Sequence, residues 1–134
     1  MRVPDGVAYV PSVLACVQAG TATTDQFFFF GYVPVETTGL LLRASNIIVS
    51  ADVPESKTDY WNLLYGLWTP GAFQVVAEHP LQDGVKTTGL RRTFPEGSRV
   101  PRGFLLALKA LRTGQPAPLQ GLCVALEYGI LGSR

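Results

Sequence analysis

Glycine and proline interrupt this sequence so often that long helices are excluded over most of its length. The 134 residues include 14 glycines and 10 prolines, and both residue types destabilise the interior of a helix. In no window of eleven or more residues do apolar side chains recur with the 3.6-residue spacing of an amphipathic helix. What remains is a series of short apolar runs bounded by turn residues, which predicts β-strands.

These apolar runs predict eight or nine strands. Ser45 and Asn46 separate two of the runs and are predicted to form a tight connection. Residues 103–112 are rich in Leu and Ala, as helices are, but their alternating pattern and strand-like neighbours favour a strand. The predicted strands cover residues 9–18, 27–35, 38–44, 47–52, 60–68, 73–78, 88–94, 103–112 and 121–130.

The close spacing of the runs indicates an all-β fold, an antiparallel β-sandwich of the jelly-roll kind. With 134 residues the chain has the size of one domain and no room for a second core. We expect residues 11–134 to form the sandwich and residues 1–10 to form an N-terminal arm that reaches a neighbouring chain. A disordered tail is the alternative for the first residues.

Charged residues are scarce, and this scarcity predicts a protein partner. They make up 16% of the chain, against about 25% in a typical soluble domain, and the mean hydropathy is +0.21. A small domain with so few charges is expected to have part of its surface covered. The longest apolar stretches are far shorter than the roughly 20 residues of a spanning helix, and the N-terminus lacks the pattern of a signal peptide. We therefore expect a protein cover and no membrane.

The charge balance argues against a nucleic-acid partner. The net charge is only +1, whereas nucleic-acid-binding domains usually carry a strong basic excess. One basic cluster is present, formed by Arg91, Arg92, Arg99 and Arg102. Carboxylates of a neighbouring subunit, or solvent, are favoured over phosphate as its surroundings.

Catalytic signatures are missing from the sequence. A Ser-His-Asp triad would need His79, the one histidine, which directly precedes Pro80 at the end of a predicted strand. A half-exposed histidine that bonds the backbone is the favoured interpretation of that position. No G-x-S-x-G elbow and no phosphate-cradling glycine loop is present. We therefore expect no enzyme activity, no small-molecule substrate and no cofactor.

Metal and disulfide sites are also not indicated. Asp52, Glu55 and Asp59 share one loop, but solvation and turn formation are favoured there over calcium binding. The two cysteines, Cys16 and Cys123, lie in apolar strand-like runs. Two buried thiols are the favoured interpretation, and a disulfide between the first and last strands is the alternative.

The aromatic residues are the best candidates for contacts with a partner. Four consecutive phenylalanines, residues 27–30, put two rings on each face of a strand, so both faces are apolar. Tyr60, Trp61, Tyr65 and Trp68 suit core and interface positions better than a sugar-stacking platform. The predicted interface residues are Arg2, Tyr9, Phe28, Phe30, Trp61, Trp68, Arg91 and Arg92.

Two stretches read AGTATTDQFFFFGYVPVETTGLLLRASNIIVSADVPESKTDYWNLLYGL and FPEGSRVPRGFLLALKALRTGQPAPLQGLCVALEY, and together they cover about three fifths of the chain. They resemble phage virion proteins with a trimeric jelly-roll or tumour-necrosis-factor-like sandwich, which include head decoration (cement) proteins. Both are patterns of strands and turns, so they transfer no functional residue.

The resemblance implies a structural role. It implies a homotrimer that binds the major capsid protein and stabilises the capsid, with no cofactor. It also implies a place on the capsid surface after synthesis in the host cytoplasm. A carbohydrate- or receptor-binding module of a phage tail or fibre is the alternative, from a different functional class.

Overall fold

A computed structural model describes residues 7–10, 17–18, 21–22, 25–32, 39–101 and 105–131. Within these ranges the chain forms antiparallel strands and no helix, so none of the described residues forms a membrane-spanning helix. The strands are β1 Val7–Val10, β2 Val17–Gln18, β3 Thr21–Ala22, β4 Gln26–Tyr32, β5 Gly39–Ile48, β6 Tyr60–Thr69, β7 Ala72–Pro80, β8 Leu90–Thr93, β9 Arg99–Val100, β10 Leu105–Thr113, β11 Leu119–Gln120 and β12 Cys123–Leu131. Eight of these strands have four residues or more.

The strands form two main sheets with the connectivity of a jelly roll. The first sheet has the order β1-β12-β5-β8, with β2 beside β12 and β9 beside β5, and the second has the order β4-β10-β6-β7. A separate two-stranded sheet pairs β3 with β11. If the eight longer strands are numbered along the chain, the main sheets read 1-8-3-6 and 2-7-4-5. This order, produced by two Greek keys, confirms the predicted antiparallel sandwich.

The core lies between the two sheets and is formed by alternate residues of each strand. In β10 the residues Leu106, Leu108 and Ala110 are buried in it, which confirms a strand with period 2 in this Leu- and Ala-rich segment. The neighbouring strand β6 adds four further buried side chains, Trp61, Leu63, Tyr65 and Leu67. The first sheet contributes Leu40, Leu42, Ile47, Val124 and Leu126.

The predicted tight connection at Ser45 and Asn46 is wrong, because β5 runs through both residues without a turn. Its pairing with β12 is irregular here, because Tyr128 pairs with Leu42 and Glu127 with Ala44, so β5 has one extra residue, Arg43, between the two pairs. Such a bulge changes which side chains face the core, and Ala44 and Ser45 are both buried. The polar residue that suggested a turn therefore lies inside the sandwich.

The first and last of the described strands pair in the first sheet. Of the predicted arm, Val7–Val10 form β1 and pair with β12, while residues 1–6 lie outside the described residues. Cys123 begins β12 and is disulfide-bonded, so the prediction of a free thiol there is wrong. Cys16, the only other cysteine in the sequence, is not among the described residues. β2 lies beside β12, with Gln18 opposite Cys123.

Gly66 allows the close approach of two strands in the second sheet. The pairing of β6 with β7 shifts between Tyr65 and Gly66, so β7 carries one extra residue there. A Cβ atom added to Gly66 would overlap the backbone carbonyl of Gln74. Since backbone atoms cannot move aside without breaking the sheet, only glycine fits at this bulge.

We expect Gly66→Ala to lower the free energy of unfolding by about 3 kcal/mol, because the added methyl overpacks the bulge. Urea denaturation followed by circular dichroism measures this change. The matched control is Gly97→Ala, since Gly97 has a φ of +84° but nothing within 4 Å of an added Cβ. Gly97→Ala should lower the free energy of unfolding by only about 1 kcal/mol, because alanine is strained in the left-handed backbone conformation. Equal losses in the two variants would contradict the steric role of Gly66.

Candidate interaction surface

The four consecutive phenylalanines of β4 divide between the two faces of the second sheet. Phe30 is buried in the core, and Phe28 packs against the same cluster from a half-buried position. Phe27 and Phe29 point to the outer side, away from the first sheet. The sequence predicted two apolar faces on this strand, and the structure confirms this arrangement.

Four rings meet on the outer face of the second sheet and form what we call the aromatic patch. Its members are Phe27, Phe29, Trp68 and Phe73. The centroids of Phe27 and Phe29 lie 6.3 Å apart in a stacked arrangement. Phe29 meets Trp68 edge-to-face at 5.5 Å, and Phe27 meets Phe73 edge-to-face at 5.0 Å. Edge-to-face contacts of this kind stabilise aromatic pairs beyond their buried area.

Small residues beneath the rings explain how the patch forms. Phe27 lies on β4 and Phe73 on β7, at opposite edges of the sheet, with β10 and β6 between them. The intervening strands place Ala107 opposite Gly66, so few side-chain atoms rise from the middle of the face. Both residues are buried although they do not face the core, because the rings above them exclude water. The patch is thus a continuous layer across four strands.

The outer face of the second sheet leaves substantial apolar surface in water. Among the described residues, three large hydrophobic side chains are exposed: Ile48 at 50%, Phe29 at 48% and Val75 at 45%. Phe29 and Val75 occupy the two ends of one row of paired residues, on either side of Ala107 and Gly66. Contiguous apolar surface of this kind marks an interaction site more often than scattered exposed residues do.

Two opposite charges lie on the same face. Lys109 of β10 is paired with Leu64 of β6, and Leu64 is paired in turn with Glu78 of β7. The ammonium group of Lys109 lies 5.4 Å from the centroid of the Phe27 ring, within the range of a cation–π contact. Glu78 is exposed at the edge of the sheet. The face therefore carries one positive and one negative group on the two sides of its midline.

Several predicted interface residues turn out to belong to the core. Trp61 is fully buried, and its indole nitrogen donates a hydrogen bond of 2.7 Å to the carbonyl oxygen of Ala117. Phe30 and Phe28 contact the core as described above, so these side chains offer little surface to a partner. Trp68 does lie on the outer face. Arg2 is outside the described residues, and of Tyr9 only the backbone, in β1, is described.

The four aromatic residues considered as a sugar platform do not gather on one surface. Trp61 and Tyr65 face the core and are fully buried. Tyr60 and Trp68 alternate with them on the outer side, at opposite ends of the ten-residue strand β6. On the outer face, Trp68 therefore contacts a phenylalanine, Phe29, and not Tyr60 or Tyr65.

Arg91 and Arg92 bind carboxylates of their own chain, whereas the sequence suggested a neighbouring subunit or solvent. Arg91 holds Glu127 through two hydrogen bonds of 2.8 Å, and Asn46 donates a third of 3.0 Å to the same carboxylate. The Arg91 and Asn46 bonds lower the pKa of Glu127 to about 2. Arg92 approaches the carbonyl oxygen of Pro80 and lies 3.5 Å from Asp83. Arg91 and Arg92 of the predicted basic cluster thus make separate contacts, and Arg102 lies outside the described residues.

His79 links the two sheets inside the core. Its Nε2 donates to the carbonyl oxygen of Thr93 at 3.2 Å, so Nδ1 is free of a proton and accepts from the Ser45 hydroxyl at 2.8 Å. The ring stacks on Phe94 with centroids 4.5 Å apart. The prediction of a half-exposed histidine is therefore wrong. Ser45 is 0% exposed, which leaves this Ser-His pair no access to a substrate in the structure described.

Two of the three loop carboxylates, Asp52 and Asp59, bond to distant parts of the chain. Asp52 accepts a hydrogen bond from the backbone N–H of Thr87, which ties two loops together. Asp59 accepts from the backbone N–H of Gln115 and from the Thr58 hydroxyl, and these bonds lower its pKa. In the part of the chain that the structure describes, no three acidic, histidine or cysteine side chains are grouped as metal ligands.

Comparison with known proteins gives no relative. No family model matches the chain, and no significant match is found to a curated protein or to a solved structure.

The buried position of His79 generates a prediction about pH. Burial, assisted by the positive charge of Arg92 and opposed by the Thr93 bond, lowers the pKa of His79 below 6.5. The unfolded chain then binds a proton more readily than the folded one, so stability should be full at pH 7.5 and fall as the pH drops through 6.5. Urea denaturation at pH 7.5, 6.5 and 5.5 measures this loss.

The control is His79→Gln, which removes the only histidine of the chain. Its free energy of unfolding should change much less over the same interval. Glu127 does not interfere, because its contribution is lost between pH 4.5 and about 2. A wild-type stability that stays constant down to pH 5.5 would show that the histidine is not held neutral by the fold.

Proposed function

We propose that this chain is a structural protein of a virus particle, which assembles as a homotrimer, binds the major capsid protein and stabilises the capsid. The observation that carries the self-assembly part is the aromatic patch, in which Phe29 is half exposed, together with the half-exposed Val75 on the same face. The trimeric state and the capsid partner come from the resemblance of residues 19–67 and 94–128 to phage decoration proteins. The jelly-roll topology is the fold that this resemblance implies.

The energetics of the patch support association. A phenylalanine side chain carries roughly 200 Å² of surface, so burying the exposed half of Phe29 contributes about 2 kcal/mol at about 25 cal/mol per Å². Val75 and the edges of the other rings add to this on every copy. Because the chain has only 16% charged residues, few charged groups would have to lose their hydration when the face is covered.

The fold suits a protein that bridges capsid subunits. The two facing sheets form a rigid body. The loops at the ends of the sandwich are then available for contacts. A shell is stabilised when an added protein buries surface on adjacent subunits, since their separation then exposes that surface again. Carbohydrate binding has less support, because Trp61 and Tyr65 of the aromatic platform lie in the core.

Size-exclusion chromatography with light scattering tests the self-assembly. We expect a mass of three times 14.5 kDa at micromolar concentration. Val75→Thr and Phe29→Thr should each weaken association about tenfold or more, because they remove apolar surface from the contact. The matched control is Ile48→Thr, since Ile48 is as exposed, at 50%, but lies on the first sheet.

A wild-type protein that remains monomeric at micromolar concentration would contradict the proposal. So would equal losses of association in Val75→Thr and Ile48→Thr, because association would then not depend on the outer face of the second sheet. Thermal unfolding of each variant shows whether the change lies in association or in folding.

A further inference from the structure

We infer that copies of this chain associate through the outer face of the second sheet, about a rotation axis parallel to β6, so that Lys109 of one copy pairs with Glu78 of the next. This inference rests on the self-assembly in the proposed function and specifies its geometry. A second copy of the chain is therefore the occupant of the aromatic patch.

The positions of the two charges carry the inference. Lys109 and Glu78 are both paired with Leu64 and lie on opposite sides of it, on β10 and β7. Adjacent strands are about 4.8 Å apart, so the two backbone positions are separated by roughly 10 Å across the strands. Neither side chain forms an ion pair within the described residues. Each is therefore available to a group of opposite charge on a neighbour.

Symmetry decides which groups meet. When two such faces are related by an axis parallel to the strands, the β10 side of one copy lies against the β7 side of the next. Lys109 then faces Glu78 of the neighbour, which gives electrostatic complementarity. An axis across the strands would instead bring Lys109 against Lys109 and Glu78 against Glu78, which is repulsive. The charge arrangement thus selects the axis along the strands.

The same rotation also brings the exposed apolar residues Phe29 and Val75 together. Phe29 and Val75 end the row that runs through Ala107 and Gly66, with Phe29 on the β4 side and Val75 on the β7 side. The rotation that brings Lys109 to Glu78 also brings Phe29 of one copy towards Val75 of the next. Both half-exposed side chains are then covered in one contact. In a trimer the contact repeats three times and closes into a ring.

Charge reversal tests this pairing. Lys109→Glu and Glu78→Lys each place like charges together and should weaken association about tenfold in sedimentation equilibrium at 50 mM salt. The double variant Lys109→Glu/Glu78→Lys restores opposite charges and should associate within about threefold of the wild type. The effect of each single variant should shrink at 500 mM salt, where charges are screened within a few ångströms.

The controls are Lys86→Glu and Glu96→Lys, which make the same charge changes at exposed loop positions outside the second sheet. They should leave association unchanged. If the single variants associate like the wild type, or if the double variant fails to recover, the pairing is overturned. The proposed self-assembly would still stand in that case, provided that the wild type associates and Phe29→Thr does not. A monomeric wild type would remove both.

Discussion

A strand that is apolar on both faces can bury only one of them in a two-layer sandwich. In the second sheet β6 and β10 are strands of this kind, and their inner side chains, such as Tyr65 and Leu108, fill the core. Within the described part of the chain, the outer face has no second sheet above it, so only its own side chains can shield it from water. Gly66 and Ala107 leave room for rings from the sheet edges, and these rings supply part of that cover. The remainder of the apolar surface, which includes parts of Phe29 and Val75, stays exposed in the single chain.

The sequence predicted the fold well because period-2 alternation and turn residues act locally. It could not predict which face of β6 enters the core, since alternation puts Trp61 and Trp68 on opposite faces and both faces are largely apolar. For the same reason Phe28 and Phe30 were predicted as interface residues, whereas the neighbouring Phe27 and Phe29 face outward. Alternation shows which side chains share a face of the strand, but it does not show which face enters the core.

Residues with distant partners were the least predictable. Ser45 resembled a turn residue, yet it bonds His79, which lies 34 positions further along the chain. Arg91 and Glu127 are 36 positions apart and meet only because β8 and β12 both lie beside β5. Turn-forming residues and isolated charges carry no local signal for such contacts. These contacts follow from the jelly-roll connectivity, which brings together strands far apart in sequence.

An apolar face gives affinity without fixing orientation, because hydrophobic burial is not directional. A chain with so few charges therefore gains specificity from each charge that lies on such a face. Lys109 and Glu78 are the charges beside Leu64, and their opposite signs make the face complementary to itself in one direction only. A head-to-tail contact of this kind forms fibres unless its rotation closes. A rotation by one third of a turn about an axis parallel to β6, with no shift along that axis, would close this contact into the trimer that we propose.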